Sequence, residues 1–224
     1  MTEKRLFVDS GSAAGAVLLN SHGTPEEEFV YLAEAYHLTA KEACAKLRKD
    51  PRFGRDGSPM EYFRAYPIIF LYRHAFELHM KAIILVGSPM LDIKGMAAID
   101  REALLRTHSL DKLRQDLERV FRSYGWKWDL GTDDFRCLAD FRKTIAELHD
   151  IDKGSYTFRY PLDTKGTASL APNFRFNLFA FCDVLDNLFP VLESLVTAAY
   201  EELQTTMHAR SEAREWEMEN GDGD

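Results

Sequence analysis

Pro67-Ile-Ile-Phe-Leu-Tyr-Arg-His-Ala-Phe-Glu-Leu-His-Met-Lys-Ala-Ile-Ile-Leu-Val86 is the stretch that decides the fold. From Ile68 to Val86 apolar residues fall on nearly every side of a helical projection, and such a helix is central in its domain. Its longest apolar run, Pro67–Tyr72, stops at Arg73-His74, far short of the ~20 residues that a bilayer crossing takes. Ser58-Pro-Met-Glu61 predicts where the helix begins: a capping hydroxyl, a proline at the first helical position and an acid that completes a capping box. Pro67 predicts a kink or break. Gly87, followed by Ser88-Pro89, predicts the end.

The flanking segments carry the same kind of signal. Thr24-Pro-Glu-Glu27 opens an earlier helix, in which Phe29, Leu32, Tyr36, Ala40, Ala43 and Leu47 recur at helical spacing up to Pro51. Beyond the central helix come a short helix near Asp100–Arg106 and then Ser109 as a cap. Leu110, Leu113, Leu117, Val120, Phe121 and Tyr124 follow as one stripe closed by Gly125. Thr132 or Asp133 starts a further helix with Phe135, Leu138, Phe141, Ile145 and Leu148 inward. Ser155-Tyr-Thr-Phe-Arg-Tyr160 alternates aromatic and polar residues, the period of an extended strand, and Asp163-Thr-Lys-Gly166 can fold Thr167–Ala171 back on it. A last helix starts near Pro172-Asn173 and carries a heptad-like seam, Phe174, Leu178, Phe181, Leu185, Leu188, Leu192, Leu195 and Ala199. The expected fold is all-α, an antiparallel bundle of five to six helices with a short extended or hairpin segment near 155–171. Residues 1–24 form an N-terminal arm, 25–206 a single helical domain and 207–224 a charged, disordered tail.

Composition sets outer limits on function. The chain has 224 residues, 46% hydrophobic and 29% charged, with a formal net charge of −8. That charge disfavours indiscriminate nucleic-acid binding while leaving room for a local basic patch. Three widely spaced cysteines, Cys44, Cys137 and Cys182, make neither a disulfide framework nor a zinc knuckle, and a reducing cytoplasm is the expected compartment. Ala13–Leu19 is a faint signal-like core without a cleavage site, read as part of the arm. No membrane association is expected. No phosphate loop, dinucleotide loop, nucleophile elbow or kinase set is present.

Chemistry concentrates on the central helix. Arg73, Glu77 and Lys81 are four apart and share one face, where they can build an ion-pair ladder, and His74 sits beside it. Such groups must be paired, exposed or used, because burying them alone is costly. Two readings stay open: a structural network, or a contact surface for a ligand. His74 and His79 are five apart and on different faces, and the spacing of His74 or His79 with His108 and His149 gives no positive support for a metal site, so neither metal nor cofactor is expected. Arg142 and His149, seven apart, project from one helix face about 10.5 Å from each other along the axis. An arginine to hold phosphate and a histidine for general acid–base work would suit RNA cleavage. A solvated arginine and a helix-terminal histidine would look the same in sequence.

Tyr72-Arg-His-Ala-Phe-Glu-Leu-His-Met-Lys-Ala-Ile-Ile-Leu85, with Thr107-His-Ser-Leu-Asp-Lys-Leu113 and Phe158-Arg-Tyr-Pro-Leu-Asp163, resembles the HEPN-like helical superfamily over roughly Met60 to Leu203. The resemblance implies a helical bundle, often dimeric, tied to RNA cleavage in some members and to nucleotide binding or assembly in others. Active members carry Arg, a polar residue, then about three to five residues and His, near the start of the last helix. Here that helix offers Arg175 with no His before His208, and the nearest matches, Arg142 to His149 and Arg73 to His79, lie in earlier helices. The expectation is therefore a recognition or assembly module for RNA or a nucleotide, working as a homodimer without robust catalysis. Its contact residues would be Arg73, His74, Glu77, His108 and Arg159. The alternatives are a metal-independent ribonuclease using Arg142 and His149, and a metal-dependent bundle enzyme.

Overall fold

The computed structural model describes residues 23–55 and 59–220. The expected N-terminal arm lies almost wholly outside them. Seven helical segments occur among the described residues: α1 (Pro25–Lys49), α2 (Pro59–Phe63), α3 (Ala65–Ile93), α4 (Arg101–Arg106), α5 (Leu110–Tyr124), α6 (Leu138–Ile151) and α7 (Leu178–Asn220). About 70% of the structure is helical and no strand occurs among the described residues, so the fold is an all-α bundle.

α3 is the axis. Tyr72, Ala75, Phe76, Met80, Ala82, Ile83 and Ile84 have no solvent exposure, and α1, α5 and α7 pack around them. Gly87 meets Val120 and Tyr124 on α5, and Arg73 meets His108 just before α5, so these two helices run in the same direction. Contacts from Tyr72 to Phe181 and from Leu85 to Val196 align α7 with them as well. α1 runs oppositely, with His37 on Asp186 and Arg48 on Asp183, and so does α6, with Arg142 on Glu118. The parallel α3–α5 pair requires the chain to return along the bundle between Lys94 and Ser109, the stretch that holds α4.

Helix boundaries follow capping chemistry. Thr24 and Glu27 form the reciprocal capping box of α1. Asp100 and Ser109 accept the N-terminal amides of α4 and α5, and Gly125 ends α5 in the left-handed conformation at φ 71°. Pro67 lies in the first turn of α3, and the break falls before it, at Arg64.

Several boundaries differ from the sequence reading. α3 does not stop at Gly87 but continues through Pro89 to Ile93. Pro89 removes the amide that would bond the Leu85 carbonyl, and the Ser88 hydroxyl donates to that carbonyl instead at 3.1 Å. Gly87 serves packing rather than termination: a Cβ there would stand 2.5 Å from Val120 Cγ1. α6 begins at Leu138, after Phe135 is buried in the preceding irregular segment. α7 begins at Leu178, where Asn177 Oδ1 accepts from the Phe179 and Ala180 amides. It also continues past Met207 to Asn220, where a disordered tail was expected.

Ser155–Tyr160 is not a strand but a turn, in which the Tyr156 carbonyl accepts from the amides of Arg159 and Tyr160. The fold-back at Asp163–Gly166 is present as one bridge between Leu162 and Ala168. The α1 seam is offset from the expected one. Ala33, His37, Ala40, Cys44 and Leu47 are buried, whereas Leu32 is half exposed. Small residues let α1 approach α3 closely, and His37 is admitted because Asp186 receives it.

Candidate functional site

Three of the five expected contact residues meet inside the bundle. Arg73 and Glu77 are 0% and 1% exposed. Arg73 Nη1 donates to Glu77 Oε2, and Nη2 donates to the His108 carbonyl at 2.5 Å. Lys81 Nζ donates to Glu77 Oε1 at 2.9 Å and to the Leu105 carbonyl at 3.2 Å. His108 Nδ1 lies 2.9 Å from the same Glu77 oxygen, with its ring half exposed. Asp152, which the sequence reading did not single out, completes the cluster: Oδ2 stands 3.2 Å from Arg73 Nε as a charge contact not aligned for hydrogen bonding.

Two cations, Arg73 and Lys81, thus balance two carboxylates, Glu77 and Asp152. Burial pushes the Glu77 carboxyl up, but the Arg73 and Lys81 charges and their hydrogen bonds outweigh it and hold Glu77 down at about 2. Both Nη groups of Arg73 and both carboxylate oxygens of Glu77 are hydrogen-bonded from within the protein, and Arg73 Nε meets Asp152 by charge alone. The ladder is a structural clamp that ties α3 to two loops. Arg73 holds the His108 carbonyl and Lys81 the Leu105 carbonyl, and Asp152 Oδ1 accepts from the Tyr156 and Thr157 amides at 2.8 and 3.2 Å.

The second loop carries Arg159 outward, toward the side of α3 that holds His74. Asp152 anchors its start, Ser155 turns it at φ 62°, and the Ser155 carbonyl accepts from Arg159 Nε at 2.5 Å. The Arg159 guanidinium lies over three rings, Tyr156 at 5.1 Å, Phe70 at 5.4 Å and Tyr160 at 5.7 Å. Phe70 stacks on His74 at 5.6 Å, and His74 meets Tyr36 edge-on at 4.6 Å. Burial lowers the His74 pKa, so the ring is neutral near pH 7. On the other side Phe158 reaches Tyr66, and Tyr66 reaches Phe63. Tyr156, Tyr160 and Phe63 are each about half exposed. The result is an open aromatic array around one exposed arginine whose Nη groups have no hydrogen-bond partner among the described residues.

Arg142 and His149 do not form a comparable site. Arg142 donates twice to Glu118, at 2.8 and 2.6 Å, and Glu118 is also held by Arg114. His149 is half-buried, with Nδ1 enclosed and unpartnered. Two cavities, of about 480 and 730 Å³, are lined by other residues; none of Arg73, His74, Glu77, His108, Arg142, His149 and Arg159 contributes to either. The expected contact residues converge in neither of these cavities: they divide between a buried clamp and an open surface.

A third polar cluster escaped the sequence reading. Asp186 Oδ1 receives His37 Nε2 at 2.6 Å and the Tyr72 hydroxyl at 2.9 Å, between α1, α3 and α7. Spacing gives no hint of it, since its members come from three distant segments. Among the described residues no group of three or more His, Cys, Asp or Glu is arranged to hold a metal ion, and no helix is long and apolar enough to cross a membrane. No protein-family model matches the chain, and no curated protein or solved structure is significantly similar to it.

Proposed function

We propose that this chain is a HEPN-like recognition module that binds unpaired nucleotides of RNA on the aromatic array around Arg159, without cleaving them. The observation that supports this reading is the placement of Arg159 over Phe70, Tyr156 and Tyr160, with the Nη groups free for phosphate or base edges. Exposed rings accept stacked bases irrespective of sequence, and an arginine plane beside them adds both stacking and charge. Binding on an open surface also suits a chain whose net charge of −8 opposes a broad electrostatic footprint. The absence of cleavage is argued from Arg142, whose guanidinium is already held twice by Glu118. Incubation of the pure protein with mixed RNA in EDTA should leave the RNA bound and intact. Cleavage that disappears in His149→Ala would replace this reading with a metal-independent ribonuclease.

The reading includes assembly as a homodimer, and α7 supports it. Leu203 is the last buried residue of α7 among those described, and the helix continues for roughly 25 Å beyond it, at 1.5 Å per residue. Met207, Trp216 and Met218 are more than half exposed on that extension. A lone helix of this length is marginal in water, so a second subunit would stabilise it.

A further inference from the structure

The cavity of about 480 Å³ lies between α6 and the first turns of α7, and Phe158, the neighbour of Arg159 in the chain, forms part of its wall. Its wall is apolar: Ile69, Leu148, Ile151, Phe158, Phe181 and Leu185 line it. Phe174 and Phe176 also line it and are 38% and 45% exposed, so two aromatic rings are open to solvent beside the apolar wall. The polar lining has one sign in excess. Asp134, Asp140 and Glu147 stand against a single cation, Lys143, which is only loosely paired with Glu147 at 3.9 Å. Asp140 is held ionised, its pKa lowered first by the Cys137 thiol and then by the Arg136 amide, and Asp134 has no ion pair among the described residues.

An apolar chamber of ligand size with a net-negative rim and exposed aromatic rings selects a molecule with an apolar body and a positive head. We infer that this cavity is a binding site for a small amphiphilic amine. The apolar part fills the space between α6 and α7, and the ammonium group sits among Asp134, Glu147 and the rings of Phe174 and Phe176. None of Phe70, Tyr156, Arg159 and Tyr160 lines the cavity, so nucleotide binding and amine binding are tested on different residues and either proposal can fail alone.

Isothermal titration with decylamine and decanoate, equal in tail and opposite in head charge, tests it at pH 7 below micelle-forming concentrations. Saturable 1:1 binding of decylamine is expected, about tenfold tighter than decanoate, as a ~1.4 kcal/mol charge preference would give. Ala180→Trp places a bulky ring in the chamber from an exposed position and should abolish binding while the melting temperature holds. Asp134→Asn with Glu147→Gln should keep tail binding and erase the preference for the amine. Absence of saturable binding, equal or tighter binding of decanoate, or a preference that survives the double substitution would each overturn the proposal.

Discussion

His79 brings two ring nitrogens into the centre of the bundle, where neither finds a hydrogen-bond partner and Phe189 lies 5.0 Å away. Burial, with a smaller contribution from His37, holds its pKa down at about 3. The unfolded chain takes up this proton near pH 6.5, so stability is full above that pH and falls as pH drops toward 3. Glu77, held at about 2 against an unfolded 4.5, adds a second loss below pH 4.5. His79→Leu keeps the volume and removes the stranded nitrogens. It is expected to stabilise the fold by about 1–2 kcal/mol and to flatten the decline between pH 6.5 and 4, as read by urea unfolding across that range. Glu77→Gln leaves two buried cations, Arg73 and Lys81, facing one carboxylate, Asp152, and is expected to cost about 3–5 kcal/mol in the same assay. Residues of this kind divide by legibility. The Arg73–Glu77–Lys81 ladder is visible in sequence because helical spacing alone puts its members together. Asp152 and Asp186 are not, because only the packing of distant segments brings them to their partners.

At the scale of the elements, the α3–α5 contact turns on Gly87. A methyl group there would stand 2.5 Å from Val120 Cγ1, so Gly87→Ala must push the two helices apart. A loss of about 1–3 kcal/mol is expected in chemical denaturation, partly recovered when Val120→Ala is added. An unchanged Gly87→Ala variant would mean that the helices are not in close contact at that point. The same glycine shows why boundaries are harder to read than elements. Gly-Ser-Pro is a helix-end signal, yet the Ser88 hydroxyl takes over the carbonyl that Pro89 leaves open, and the helix continues. Ser155–Tyr160 misleads in a similar way: its aromatic–polar alternation has the period of a strand, but Asp152 captures two of its amides and curls it into a turn. The α5 stripe was legible in full, because a strongly one-sided pattern with a cap at each end leaves the chain no competing arrangement.

The whole molecule is a bundle whose inner charges are spent on its own architecture and whose recognition chemistry, on our reading, faces outward. The assembly part of that reading predicts a sedimentation mass near twice 25.7 kDa at micromolar concentration. Trp216→Lys with Met218→Lys should return it to the monomer mass without changing the helical signal, while a wild-type monomer at all concentrations would contradict it. Phe189 on α7 is fully buried in the core, so the assembly contact is placed at the exposed end of the helix. The central claim is that the array around Arg159 holds unpaired RNA, and its most direct measurement is fluorescence anisotropy of a labelled single-stranded oligonucleotide. The account predicts saturable binding by the wild type. It also predicts a loss of about tenfold or more in Tyr156→Ala with Arg159→Ala, since each base–aromatic stack is worth about 1–3 kcal/mol, with the melting temperature unchanged. Wild-type protein that fails to bind, or a double variant that binds as well as the wild type, would contradict it.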